Sequence, residues 1–184
     1  MEAHLVATLG ECSGRAGVTF LGMEPIEVLR FGPDYVGLTR YVTLGMSRQP
    51  LPDPTSPVLE TVTGPRAELL LSLHGTHDSV LRPLAVLAAT PAVDGTRPSP
   101  GSSYDVGTPL CDGASVSAVL VGEPGGLVAD LDVDVGTVAV FPLLPMTAEE
   151  AAWKRAHSAA DLEERWLAAG TDLRDPARTS VALD

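Results

Sequence analysis

Residues 137–170, TVAVFPLLPMTAEEAAWKRAHSAADLEERWLAAG, constrain the fold most, because one strand signal and two helix starts follow each other there without a gap. Thr137 to Leu144 is a β-branched, apolar run of strand length. Pro145, which lacks a ladder donor and biases Leu144 toward extended backbone, is expected to end it. Thr147-Ala148-Glu149-Glu150 then has the spacing of a capping box, in which the Thr147 hydroxyl accepts from the Glu150 amide and the Glu150 carboxylate accepts from the Thr147 amide. The helix so started is predicted to lay Ala152, Trp153 and Ala156 on an apolar surface, with Glu149, Glu150, Lys154 and Arg155 turned largely away, and to end near His157. Ser158, with Asp161 three residues on, starts a second helix in which Leu162, Trp166 and Ala169 recur until Gly170 stops it.

A chain of 184 residues is long enough for one domain, here 1–184, that buries roughly 70% of its unfolded surface. Cys12 and Cys111 do not make a disulfide framework, and the start MEAHLVATLGE has neither a basic leader nor a long apolar run, so a cytoplasmic protein is expected. No apolar stretch approaches the roughly 18 to 20 residues that span a bilayer, which excludes a membrane protein of the helical kind. The net charge is −12 and the twelve Lys and Arg residues are scattered, so no nucleic acid is expected as a partner. The acidity suits solubility, or a basic protein partner. Aromatic residues make up only 4% of the chain, so the core must be built from Leu, Val and Ala.

The remaining elements are read from alternation and punctuation. Met1 to Leu9 suits a short helix, and Val18 to Gly22 a short strand or turn entry. Ile26 to Phe31 and Tyr35 to Met46 read as an antiparallel hairpin closed by Gly32-Pro33-Asp34, with a bulge or close approach at Gly45. Arg48 to Pro57, with prolines at 50, 52, 54 and 57, is a loop. Ala67 to Leu73 is apolar on both faces and therefore central. Val80 to Ala89 is a helix across the sheet, with Pro83 in its first turn. The proline- and glycine-rich stretch from Pro91 to Pro109 is an extended surface loop, Ser115 to Gly122 is a strand, and Glu123-Pro124-Gly125-Gly126 is a turn. Val181-Ala182-Leu183 is a candidate final edge strand. The fold class that follows is α+β, a mostly antiparallel mixed sheet of five or six strands with helices packed on it.

Few residues suggest chemistry. His74-Gly75-Thr76-His77-Asp78 is the best metal candidate and would support a metal-dependent enzyme, but it is also ordinary loop composition before a helix N-cap. Asp130, Asp132 and Asp134 alternate along one face without a glycine-containing ligand loop, which favours a solvated hairpin edge. Ser47 lacks the second glycine of a nucleophile elbow, since position 49 is Gln49. Asp112 and Glu11 beside the two cysteines oppose thiolate formation. Glu68 within a leucine-rich strand needs a partner, and Arg66 is the nearest candidate for an ion pair, unless the carboxylate faces an edge. No catalytic residue, metal site or cofactor is assigned.

Five stretches occur in a familiar order: Tyr41-Val42-Thr43-Leu44-Gly45-Met46-Ser47; Gly64-Pro65-Arg66-Ala67-Glu68-Leu69-Leu70-Leu71; Gly107-Thr108-Pro109-Leu110; Ser115 to Val121 followed by Glu123-Pro124; and Phe141 to Glu150 with Trp166 and Asp172-Leu173-Arg174-Asp175. With them the chain resembles the suppressor-of-fused domain family, in particular its short bacterial, actinobacterial-like members. The resemblance implies a sandwich-like domain without catalysis that acts as a protein-interaction or regulatory module. Animal members hold a short peptide of a transcription factor by strand addition, between this domain and a second one. The positions matching their peptide-binding strand are Val116, Ala118 and Leu120, with Glu123 at its end. These are the expected partner-binding residues, on a strand edge. An immunity protein that neutralises a cognate bacterial toxin is the narrower alternative, since such toxins are commonly basic.

Overall fold

A computed structural model describes residues 1–22, 24–52 and 62–184. Of the loop expected from Arg48 to Pro57, residues 53–57 lie outside this set. Among the described residues the strands are β1 (Cys12–Val18), β2 (Ile26–Phe31), β3 (Leu38–Leu44), β4 (Arg66–His74), β5 (Ser103–Asp105), β6 (Val116–Val121), β7 (Leu131–Val133) and β8 (Gly136–Thr147). The helices are α1 (Glu2–Leu9), α2 (Leu81–Asp94), α3 (Ala148–Ala156) and α4 (Ala159–Ala169). One mixed sheet runs in the order β1-β2-β3-β4-β8-β6-β5, with β7 pairing β8 off this path. Neighbours are antiparallel except β4 and β8, which pair in parallel from Arg66 with Val138 to Leu71 with Leu143. No described helix is long and apolar enough to cross a membrane.

The central position expected for the leucine strand is its actual one. On one face of β4, Ala67, Leu69, Leu71 and Leu73 meet Val28, Tyr41, Val119 and Val121, and this layer is closed by Leu84, Ala85, Leu87 and Ala88 of α2. Those four recur with helical spacing, and each fully buried Leu removes enough apolar surface from water to be worth about 1.5–3 kcal/mol. On the other face Leu70, Val42 and Leu29 pack under Leu5 of α1, while Ala118, Leu120 and Met146 pack under Leu162 and Trp166 of α4. The sheet is therefore covered on both sides, by α2 on one and by α1, α3 and α4 on the other.

Three expectations are corrected here. Pro145 does not end its strand, because β8 continues through Pro142 and Pro145 to Thr147. The Pro142 carbonyl accepts from Gly122 N–H, so its backbone faces the β6 side at the last rung, where one bond is forgone. Pro145, three residues on, is turned the opposite way, toward the side where pairing with β4 has stopped at Leu143. Its missing N–H has no ladder partner to lose, and its carbonyl accepts from the Arg178 guanidinium at 2.8 Å. Pro91 does not begin a loop either. It is buried inside α2, which runs three residues further and closes on Gly95 in the left-handed conformation. Finally, Val181-Ala182-Leu183 is irregular, not a strand. Val181 and Leu183 pack against the cluster that includes Leu162 and Trp166, and Arg165 holds the Ala182 and Asp184 carbonyls.

The buried face of α3 also differs from the expected one. Both capping boxes form, Thr147 with Glu150 and Ser158 with Asp161. Yet Ala151 and Glu150 are buried, whereas Ala152 and Ala156 are exposed. Trp153 lies flat against His157, with ring centroids 3.8 Å apart. Glu150 is inside because Arg178 reaches it from the C-terminal segment, donating at 2.6 and 2.7 Å to the two carboxylate oxygens. The Thr147 and Val181 amides and the Trp166 indole donate to the same carboxylate. Burial pushes this carboxyl up, and the Arg178 guanidinium with the two amides more than offsets it, leaving it below its usual value.

Removing one partner of this pair strands the other charge inside the protein, so Arg178→Ala should lower the unfolding free energy by about 3–5 kcal/mol. Urea unfolding with an unchanged slope checks it. Since the Glu150 pKa is lowered on folding, its stabilising contribution is present above the unfolded pKa and is lost as pH falls through the folded one. Arg178→Ala should therefore flatten the acid limb of the stability profile.

Candidate interaction edge

The β6 residues expected to bind a partner are held inside the sheet. Val116, Ala118 and Leu120 are buried side chains on a strand flanked by β8 on one side and β5 on the other. β5 pairs from Ser103 with Leu120 to Asp105 with Ala118, and the Leu110 amide extends the cover to the Val116 carbonyl. The edge read from the sequence is therefore occupied, because the proline-rich stretch that looked like a loop contributes three residues of strand. Glu123 is exposed in the turn after β6.

The outer edge of the sheet on this side is β5 itself. Val121 N–H donates to Ser102 O and Val106 N–H to Ser117 O, so Ser102, Tyr104 and Val106 turn their backbone groups toward β6. In an antiparallel ladder the alternate residues, Ser103 and Asp105, then direct their N–H and C=O groups outward. Beside this edge lies a groove of about 470 Å³ between α2 and β5, lined by residues that include Arg82, Val86, Leu87 and Asp94 from the helix and Tyr104 and Val106 from the strand segment. The strand segment runs antiparallel to α2. Tyr104 lines the groove with Asp94, and burial followed by Asp94 raises its phenol, whereas further along the chain Asp112 N–H donates to the Oγ of Ser79, two residues before α2. Asp94 and Arg82 therefore mark opposite ends of the groove. Both are exposed, as is the intervening Val86.

Neither Arg82 nor Asp94 nor Ser103 carried a motif. The signal that was available is the alternation of Tyr104 and Val106 between Gly101 and Gly107, too short to stand out in a stretch dominated by proline.

The other residues singled out in the sequence are dispersed. His74 Nε2 lies 2.8 Å from the Asp172 carboxylate, which Arg174 also holds, and these partners keep Asp172 far below the usual carboxylate range. His77 Nε2 lies 2.9 Å from the His74 carbonyl, and Asp78 pairs with Arg30. The three side chains of the expected metal loop thus have separate partners, and among the described residues no three His, Cys, Asp or Glu side chains converge as metal ligands. Asp130, Asp132 and Asp134 are exposed around β7, where Asp132 accepts from Thr137. Cys111 is buried, and burial followed by Asp112 raises its thiol pKa.

The sequence profile of the suppressor of fused protein family (SUFU) matches residues 22–179. The chain belongs to the suppressor-of-fused family. Three solved structures share the fold. A protein described as a SUFU homologue from Neisseria gonorrhoeae is 20% identical with a TM-score of 0.72, the match covering 98% of this chain and 94% of that one. The structure of a Sufu–Fu complex matches at 14% identity and a TM-score of 0.69, over 97% of this chain and 89% of that chain. Drosophila Suppressor of Fused matches at 13% identity and a TM-score of 0.69; 97% of this chain is covered but only 49% of the Drosophila chain, about half its length. A comparison with curated proteins finds no match.

Within this suppressor-of-fused fold, Glu68 is not the ion pair or edge carboxylate expected from its strand. It is fully buried and accepts from the Thr43 hydroxyl at 2.6 Å, the Ser47 hydroxyl at 2.6 Å, and the Gly45 and Ser47 amides at 2.9 and 3.1 Å. Arg66 turns instead to the carbonyls of Ser47, Arg48 and Val62. Gly45, at φ 132°, lets the chain fold back so that both amides reach one carboxylate. With four neutral donors and no cation paired to it among the described residues, burial outweighs the hydrogen bonds and raises the Glu68 pKa. A carboxyl raised on folding stabilises fully below its unfolded pKa, and that contribution is lost as pH rises through the folded one. Stability from this site should thus decline as pH rises past the ordinary carboxylate range, and Glu68→Gln should reduce the decline, as read by urea unfolding of both proteins over a pH series.

Proposed function

We propose that this suppressor-of-fused chain is a non-enzymatic, cytoplasmic protein-interaction module that recruits an extended segment of a protein partner at the β5 end of its sheet. The observation that carries this reading is the pair of outward-facing backbone positions, Ser103 and Asp105, on a terminal strand whose outer side pairs with no further described strand, Lys154 of α3 reaching only the Ser103 hydroxyl. An unpaired edge of this kind is the template for strand addition, in which the main chain supplies affinity and flanking pockets supply selectivity. Family membership supports the reading, as does the fold shared with a structure of Sufu bound to Fu. Val116, Ala118 and Leu120 serve in it as the buried base that fixes the edge, and Glu123 as an exposed acid at its rim. Free Cys12 and Cys111 suit a reducing compartment.

The test uses a substitution that removes one outward donor and leaves the β6 ladder whole. Ser103→Pro fits because proline is tolerated on an edge strand when its nitrogen faces away from the pairing partner. A protein retained from lysate by the natural chain, once purified, should bind it directly in calorimetry and bind Ser103→Pro at least about ten-fold more weakly, a loss of roughly 1.4 kcal/mol. The melting temperature should barely move. Equal binding by both chains would remove β5 from the interaction, and failure of any purified protein to bind the natural chain would remove the function itself.

A further inference from the structure

The sheet has a second end. β1 is its other terminal strand and, among the described residues, pairs only with β2. The Arg30 carbonyl accepts from the Ser13 hydroxyl, so Arg30 turns its backbone toward β1, and by the alternation of the ladder Val28 and Ile26 do the same. The other side of β2 agrees. Gly75 N–H donates to Gly37 O, which sets Arg40, Val42 and Leu44 toward β2 with Phe31, Leu29 and Glu27 as their bonded partners. Gly14, Ala16 and Val18 stand opposite Arg30, Val28 and Ile26 and therefore bond inward, whereas Arg15 and Gly17 direct their N–H and C=O groups outward. Arg15 pairs with Glu2 of α1 and, at 3.4 Å, with Glu27 of β2, and Glu27 itself stands opposite Gly17. A Cβ on Gly14 would come within 2.8 Å of the Arg30 guanidinium, which explains that glycine. A Cβ on Gly17 would meet nothing within 4 Å, and its φ is not left-handed, so nothing described within the chain requires glycine there. A glycine inside a strand weakens it and marks a place where another backbone or a ligand comes close.

We infer that β1 pairs antiparallel with β1 of a second copy, about a two-fold axis beside Ala16, so that two sheets become one. In this register Arg15 of each copy stands opposite Gly17 of the other, and these outward residues exchange their hydrogen bonds. Neighbouring strands lie about 4.8 Å apart, so Arg15 of the second copy is about 10 Å from Glu27, across a position with no side chain. Its guanidinium reaches over Gly17 to that carboxylate. The patch is self-complementary, as a two-fold contact requires, because each copy supplies one guanidinium and one carboxylate to two identical pairs. The neighbouring registers are worse. Setting Arg15 opposite Arg15 brings like charges face to face, and setting Gly17 opposite Gly17 leaves only Ala16 to Val18 to pair before the strand ends. At the other end the bulge between Cys12 and Gly14 stops the ladder. β5 lies at the far end of the sheet, so a dimer through β1 leaves both β5 edges open and presents two of them on one assembly.

Sedimentation equilibrium of the full chain should show a reversible dimer. Gly17→Lys sets a cation opposite Arg15 of the other copy and beside Glu27 of its own. It should raise the dimer dissociation constant at least about ten-fold, the size expected when two symmetric charge pairs turn from attraction to repulsion, while the melting temperature is unchanged or higher. The residue on the axis gives a second readout. Ala16 and its symmetry mate form a non-hydrogen-bonded pair with Cα atoms about 4.5 Å apart, inside the range a disulfide spans. In a Cys12→Ser background, Ala16→Cys treated with oxidised glutathione should therefore give a covalent dimer on a non-reducing gel, whereas Ser103→Cys at the far edge should not. A chain that stays monomeric up to about 1 mM, a dimer unaffected by Gly17→Lys, or equal cross-linking of the two cysteine variants overturns the inference. A dimer lost in Ser103→Pro but kept in Gly17→Lys gives the contact to β5 and overturns it as well.

Discussion

The parallel pairing of β4 with β8 sets the constraint that the rest of the structure answers. Two parallel strands need a long connection between them, and here it contains α2, β5, β6 and β7. The same pairing stops at Leu71 and Leu143, although β8 continues for four more residues. Beyond that point one side of β8 has no neighbouring strand among the described residues. Pro145 lies on this stretch, with no ladder donor to offer, and the Arg178 guanidinium occupies the vacated side. The cost of burying that cation is met by Glu150, which the Thr147 capping box already holds at the start of α3. One ion pair thus closes the sheet, fixes the angle at which α3 leaves β8, and ties down the C-terminal segment.

Glu68 and Glu150 are both completely buried and are stabilised in opposite ways. Glu150 faces a guanidinium and stays ionised below its usual pKa, as a buried charge with a hydrogen-bonded partner can. Glu68 faces only hydroxyls and amides, and its pKa rises. The difference lies in what each organises. Glu150 joins elements distant in sequence, so a charged anchor of long reach is used. Glu68 gathers the turn after β3, Gly45 to Ser47, against the neighbouring strand, which short neutral donors accomplish.

The sequence made the fold legible wherever local chemistry and tertiary context agree. The Ile26 to Phe31 strand, the central leucine strand, both capping boxes and the Gly170 stop are of this kind, and the order of these motifs carried the family. It failed where a rule depends on what lies across the sheet. Pro145 is a stop signal only if its nitrogen needs a ladder partner, and Pro91 ends a helix only if the lost bond is not offset by burial. Glu150 reads as a surface residue of an amphipathic helix until Arg178, twenty-eight residues away, arrives beside it. β1, with glycines at 14 and 17, lacks apolar alternation because it is an edge strand with three of its seven residues exposed and none buried. The candidate site was the least legible part. Its residues are a three-residue strand in a proline-rich stretch and two ordinary helix charges, and only the folded chain sets them along one groove.

An exposed edge is a hazard as well as an opportunity, and β5 shows how the two are reconciled. Long flat apolar edges invite aggregation, whereas β5 presents only Ser103 and Asp105 outward and is closed at one end by Gly107, whose N–H donates to the Asp105 carboxylate. Two outward residues provide few main-chain hydrogen bonds, too few for strand pairing alone to select a partner.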